Sequence, residues 1–318
     1  MAKAIGVDLG GSHVMAAVIN EAGELSSKHE QNISDHAPDA VFAAVDTVLR
    51  GALGDVKDTS LSGIGIGAPG NIDPDNGTIR YSPNFGWTNV PLGEHVRQTF
   101  TLPVFIANDA RCATLGEYVH GAGRGSKHFA LLTLGTGIGG GIVSDGELLV
   151  GAQMGAGEFG HHTVRPTDGF ICSCMKIGCF EAQSSGQGLI RHAFAIAPSF
   201  PKSALLDVNR EKLGSKAIRK AAQNGDLHAQ AAWGRWIDDL SIGLSNVIAF
   251  VNPEVIALGG GVSSAGNFML DAVRPLVEAR TTMVPRGTTR IVTAMLGNDA
   301  GAVGAAVMAM RGGLVATI

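Results

Sequence analysis

Two glycine runs stand at equivalent places in two halves of the chain. The apolar extended run "AKAIGVDLG" ends in Asp8 and Gly10-Gly11 and leads straight into a second extended run, "SHVMAAVIN". "HFALLTLG" likewise ends in the glycines of 135–141 and continues into the extended stretches "GGGIVSDG" and "ELLVGA". Strands that follow one another through glycine or Asp-Gly turns form a meander, and a helical period takes over only afterwards. In the first half, helices are expected over 37–53, 92–100 and 110–120, with strands at "SGIGIGAPG" and "LPVFIAND", giving the order βββαβαβα. The second half repeats it, with helices over 187–196, 226–250 and 265–280, strands at "EVIALGG" and "TRIVTAML", and a closing helix over 299–310. Two copies of one topology imply an α/β protein of two domains, each able to bury its own core. The first is placed at 1–120, completed by the C-terminal helical segment 299–318, and the second at 121–298. Only 151–185 has no counterpart in the first half; an insertion of that size usually carries function.

The chain holds 45 glycines in 318 residues, against a usual share of about 7%. They show no G-X-Y period and collect at 10–11, 135–141 and 259–261, as expected of loops that something anionic approaches closely. A formal net charge of -4 gives no drive toward nucleic acid or an anionic membrane. No apolar stretch reaches the roughly 20 residues of a membrane span, and the start of the chain reads as a strand and not as a signal segment. These features point to a soluble, cytoplasmic protein with a small-molecule partner.

Several stretches carry chemistry. Asp8, beside Gly10, Gly11 and Ser12, can hold a hydrated Mg²⁺ while the glycine amides reach a phosphate. Gly135, Gly137 and Gly140 satisfy GxGxxG, but a strand follows where a dinucleotide site needs a helix. A phosphate-binding hairpin fits better, with Thr136 offering its hydroxyl. Gly259, Gly260 and Gly261 lead into a helix and leave room for a base or ribose. Asn108 and Asp109 end a strand at the edge where open α/β sheets bind ligands; Asp109 can act as a base toward a hydroxyl, while both residues also suit a helix N-cap. Cys172, Cys174 and Cys179 fall within eight positions, bracketed by Glu158, His161, His162 and Glu181. Three thiolates and one imidazole complete a tetrahedral Zn²⁺ shell, so the cysteines read as a structural clamp for a polar pocket. Neither glutamate lies near a glycine run in sequence. Changing them, or losing the metal, is therefore expected to affect the pocket they flank and not the glycine loops.

Together these stretches resemble the ROK family of sugar kinases and sugar-responsive repressors, in the actin-like ATPase superfamily. The resemblance spans essentially the whole chain, in order through "GVDLGGSH", "GAPG", "AND", "LGTGIGGG", "GEFGH", the "CSC" and "GC.E" zinc motif, and "ALGGGVS". It implies two actin-like (ribonuclease H-like) domains with the active site in the cleft between them and a zinc-binding insertion in the second. It further implies that Asp109 is the catalytic base; that Asn108, Glu158, His161 and Glu181 bind sugar hydroxyls; that Asp8, Gly10, Gly11, Ser12, Thr136 and Gly137 hold Mg-ATP phosphates; that Gly259, Gly260 and Gly261 lie on the adenosine side; and that His161, Cys172, Cys174 and Cys179 bind zinc. Met175 stands where the family pattern C-x-C-G-x-x-G-C has glycine, and one extra residue before Cys172 makes His162 a rival to His161. The order after "GEFG" favours His161. Repressor members carry an N-terminal helix-turn-helix, for which the chain leaves no room ahead of Asp8, so no nucleic-acid partner is expected. "SPNFGWTNVPL" and the glutamate pair look most like the glucokinase branch: ATP-dependent phosphorylation of a hexose at its 6-hydroxyl, by a homodimer. Kinases for fructose, mannose, allose or N-acetylhexosamine, a non-catalytic sugar sensor and a zinc hydrolase are the alternatives.

Overall fold

A computed structural model describes residues 2–56, 61–206 and 213–314. Met1 of the first domain and 315–318 of its C-terminal segment lie outside the described residues. The chain groups into two units: 1–127, 141–157 and 295–318 in one, 128–140 and 158–294 in the other.

The first unit is built on strands β1 (Lys3–Leu9), β2 (His13–Asn20), β3 (Leu25–Asn32), β4 (Leu61–Ala68) and, after the small strands β5 (Asn71–Ile72), β6 (Ile79–Ser82) and β7 (Trp87–Val90), β8 (Val104–Asn108). The five long strands form one sheet in the order β3-β2-β1-β4-β8, and β5-β6-β7 form a three-stranded sheet that the sequence reading missed. Its helices are α1 (Pro38–Gly54), α2 (Leu92–Thr99), α3 (Asp109–His120) and α9 (Ala300–Arg311). Side chains alternate across β1 with period two. Ile5, Val7 and Leu9 join the core under α1, while Ala4 joins Ala302 and Ala306 of α9 on the opposite face. Gly6 and Asp8 share that second face. A Cβ on Gly6 would run into the carbonyl of Ala302, and one on Gly65 into that of Ala305, so α9 lies directly on the sheet backbone.

A second five-stranded sheet runs in the order β11-β10-β9-β12-β13, from β9 (Phe129–Leu134), β10 (Ile138–Ser144), β11 (Glu147–Leu149), β12 (Val255–Gly259) and β13 (Arg290–Thr293). This is the order of the first sheet again, with the same parallel pairing on the later side: β1 with β4 and β4 with β8 in one, β9 with β12 and β12 with β13 in the other. Its helices are α4 (Phe180–Ser184), α5 (Gly186–Ile196), α6 (Ser215–Gln223), α7 (Leu227–Val251) and α8 (Asn267–Arg280). Asp226 caps α7 by accepting the Ala229 amide at 2.7 Å, and Asn252 ends it in the left-handed conformation. Among the described residues no helix is long and apolar enough to cross a membrane.

Candidate active site

Strand register gathers one set of predicted residues at the carboxyl edge of the first sheet, where Asp8 pairs with Gly67 and Ala68 with Asn108. A side chain at position 301 would occupy the place of the Asp8 carboxylate, within 2.6 to 2.8 Å of its atoms. Glycine at the start of α9 therefore makes room for that carboxylate. Burial, then repulsion from Asp109 and from Asp299, pushes Asp8 up to about 7. Asp299 is met by Lys28 at 2.9 Å, whereas Asp8 and Asp109 offer oxygen-only donors of the kind that suit Mg²⁺. From sequence Asp299 stands only at a helix start, and nothing local marks it as a neighbour of Asp8.

The loop after Asp8 is tied at three points: Gly10 N–H donates to His13 O at 2.9 Å, Ile33 N–H to Ser12 O at 2.8 Å, and the His36 ring through Nε2 to Gly11 O at 2.7 Å. Asn108 is the N-cap of α3, its Oδ1 accepting from Arg111 N–H and its Nδ2 donating to Gly70 O, each at 3.2 Å. The capping alternative thus holds for Asn108. Asp109 follows as the first helical residue, with Oδ1 accepting from Ala110 N–H at 2.8 Å. Further along α3, the wholly buried Glu117 accepts from the amides of Ala122, Met295 and Leu296 at 2.9, 2.9 and 2.6 Å. It secures the segment that leads to Asp299.

In the second unit the glycine motifs converge. Gly186 N–H donates to Gly135 O at 2.8 Å, and a Cβ on Gly186 would meet Gly135 O, Ser215 Oγ and Val262. A Cβ on Gly260 would strike Leu134 O at 2.6 Å. The 135–137 turn is a hairpin between β9 and β10, as the sequence implied, and Thr136 on it is exposed. Beside Gly261 lies a recess of about 20 Å³ whose lining includes Ser215, Lys216, Arg219 and Trp233, none of them singled out from sequence. A larger cavity, about 350 Å³ along α8 and the 281–292 segment, contains none of the predicted site residues.

His161, Cys172, Cys174 and Cys179 bring their ligand atoms within 4.8 Å of one another. Cys172 Sγ is 3.7 Å from His161 Nδ1, and Cys174 Sγ is 3.5 Å from Cys179 Sγ. Ligands of a tetrahedral zinc with bonds of roughly 2.0–2.3 Å stand about that far apart, so the donor set fits. Burial opposes ionisation of Cys174 and Cys179; hydrogen bonds nonetheless bring Cys174 down to about 7, while burial and its neighbours drive Cys179 up to about 12. His162 is not in the cluster: its Nδ1 donates to Phe159 O at 2.6 Å and its ring packs on Phe180. Met175 takes the left-handed backbone with φ +68°, the conformation for which glycine is suited. Arg165 anchors this segment to α7 through Asp239 at 2.5 Å and Asp238 at 3.0 Å.

Glu158 is exposed and precedes the short helical turn Phe159–His161. Glu181 also reaches the glycine hairpin, which its place in the sequence does not show. Its Oε2 accepts from Ile138 N–H at 2.9 Å, its Oε1 from Ser173 Oγ at 3.1 Å, and a Cβ on Gly137 would collide with it. It therefore joins the cysteine loop to the glycine hairpin, because the chain's return from the insertion into α4 brings residue 181 under β10.

The chain matches the ROK family over residues 4–311. It is 38% identical over 305 residues to a glucokinase of Halalkalibacterium halodurans, covering 94% of this chain and 92% of the relative. Among solved structures it is similar to a ROK family glucokinase from Streptomyces griseus in complex with glucose and AMPPNP, with a TM-score of 0.83, 34% identity, and 96% and 98% of the two chains covered. A ROK hexokinase from Thermus thermophilus gives a TM-score of 0.79 at 30% identity over 96% and 97%. The α/β fold with two sheets of one strand order, the carboxylates on the edge of the first sheet and the Cys₃His cluster are thus set in a chain that belongs to the ROK family.

Proposed function

We propose that this protein is an ATP-dependent hexose kinase that phosphorylates the 6-hydroxyl, with glucose as its preferred sugar. The observation that carries the reading is Asp109, a carboxylate at the sheet edge beside the crowded Asp8, in a chain with 38% identity to a glucokinase over nearly its whole length. Asp109 orients the 6-hydroxyl and takes its proton as the phosphoryl group arrives. Asn108, Glu158, His161 and Glu181 receive the other sugar hydroxyls. The loop of Gly10, Gly11 and Ser12, with Gly137 and the Thr136 hydroxyl, holds the phosphates, and Gly259 to Gly261 lie on the nucleoside side. Magnesium, held by Asp8, would neutralise charge on the donor phosphates. Zinc held by His161, Cys172, Cys174 and Cys179 would have four protein ligands, so its part would be structural and hydrolysis at the metal is disfavoured.

Reduced thiols suit a cytoplasmic protein, and the family resemblance implies a homodimer, to be checked by sedimentation. A hexose panel assayed with ATP and with polyphosphate tests the function. Glucose with ATP should give the highest kcat/KM; absence of transfer to every hexose would leave a sensor. Asp109→Asn should keep glucose binding and lose at least about 10²-fold in kcat. Near-normal turnover would return Asp109 to a purely helix-starting role.

A further inference from the structure

The stretch "SPNFGWTNVPL" reaches the loop after Asp8 through His36. Phe85 and Trp87, both buried, stack with ring centroids 4.5 Å apart. Trp87 Nε1–H donates to His36 O at 2.7 Å, and the His36 ring stands edge-on to Phe85, 5.1 Å between centroids at 88°. Backbone and ring of His36 are thus both held from the β6–β7 side. Asp35 Oδ1 adds a local turn by accepting from Ala37 N–H at 2.9 Å. So held, the ring sets Nε2 2.7 Å from Gly11 O. A carbonyl only accepts, so Nε2 carries the hydrogen.

Gly11 is where such a hold matters. It follows Gly10, its backbone is free to rotate, and a Cβ there would meet nothing within 4 Å, so packing does not fix it. The peptides on either side have backbone partners: Gly10 N–H donates to His13 O, and Ser12 O accepts from Ile33 N–H. Among the described residues, only His36 holds the peptide between Gly11 and Ser12. That peptide is trans and planar, so a carbonyl drawn toward His36 turns the Ser12 N–H the opposite way. No acceptor among the described residues meets this N–H. We propose that His36 is a positioning residue for the phosphoryl donor, pinning the Gly11 carbonyl so that the Ser12 N–H is aimed at the donor's phosphates; the assignment rests on the ATP-dependent kinase reading. A donor aimed before the ligand arrives costs no reorganisation when charge must be met.

Calorimetric titration with Mg-ATP and with adenosine, and initial rates with glucose, test the assignment on wild type, His36→Phe and His36→Gln. Phenylalanine keeps a ring against Phe85 and removes the donor, whereas glutamine offers an N–H at similar reach. His36→Phe should bind Mg-ATP about three- to tenfold more weakly, the effect of one hydrogen bond, with a like fall in kcat/KM for ATP. Its adenosine affinity and its KM for glucose should match wild type, and His36→Gln should recover most of the loss. A role confined to the fold would lower both substrates' affinities together and would not be rescued by glutamine. Unchanged Mg-ATP affinity in His36→Phe overturns the assignment, as does equal weakening toward adenosine or no recovery in His36→Gln. Failure of the kinase reading shows separately, as a wild type that binds Mg-ATP yet phosphorylates no hexose.

Discussion

Ionising Asp8 in the folded chain places a third negative charge beside Asp109 and Asp299, where burial leaves little water to share it. Unfolded, the same carboxyl ionises near 3.8; folded, it holds its proton to about 7. Between those values the folded state binds more protons than the unfolded one, so this group's contribution to stability falls as pH rises from about 4 to 7 and is level above. Asp8→Asn should therefore gain thermal stability over wild type progressively from pH 4 to 7 in metal-free buffer. A difference in Tm that does not change with pH would show that Asp8 is not the titrating group. Met175 gives a second residue-level test. Left-handed backbone costs a side-chain-bearing residue about 1–2 kcal/mol, partly offset by glycine's greater freedom when unfolded. Met175 is 82% exposed and loses little packing on truncation. Met175→Gly should raise stability by about 0.5–1 kcal/mol in urea unfolding, and a loss of that size would mean that the turn is not strained.

At the scale of elements, α9 depends on glycine at its contacts. A Cβ on Gly304 would coincide with the Cys112 carbonyl of α3, and one on Gly116 would lie 2.5 Å from Ala300 O. Gly304→Val should lower stability by about 3 kcal/mol or more, since neither helix backbone can yield; equilibrium unfolding would measure it, and a loss under about 1 kcal/mol would refute the close contact. The cysteine loop and the β9–β10 hairpin are joined differently, through the Glu181 carboxylate. Cys174→Ser should lose its metal, destabilise the loop and weaken hexose binding. Because Glu181 reaches Ile138 N–H, ATP binding should weaken severalfold as well, contrary to the expectation drawn from sequence. Metal analysis with separate hexose and ATP titrations would decide this. Unchanged ATP affinity in a metal-free variant would show that Glu181 holds the hairpin unaided.

On the scale of the whole molecule, the chain leaves its first unit and returns to it at 295–318. Deleting 295–318 would uncover Gly6 and Gly65 on the sheet face that α9 covers, so residues 1–127 should lose cooperative unfolding and become the first segment cut by protease. Full protection of 1–127 in the truncated chain would contradict this. The doubled order of elements, the β9–β10 hairpin and the Cys₃His set were legible from sequence because each rests on local periodicity, turn chemistry or ligand spacing. The small sheet β5-β6-β7 and the five-residue helix α4 were not, being too short for a period to show, and α6 was missed as well. Asp299 beside Asp8, Glu117 beneath Leu296, and Glu181 against Gly137 were decided by tertiary structure alone. Each joins residues about 44 to 291 positions apart, and a carboxylate's proton affinity or an amide's partner is set by what surrounds it in space, which no spacing along the chain encodes.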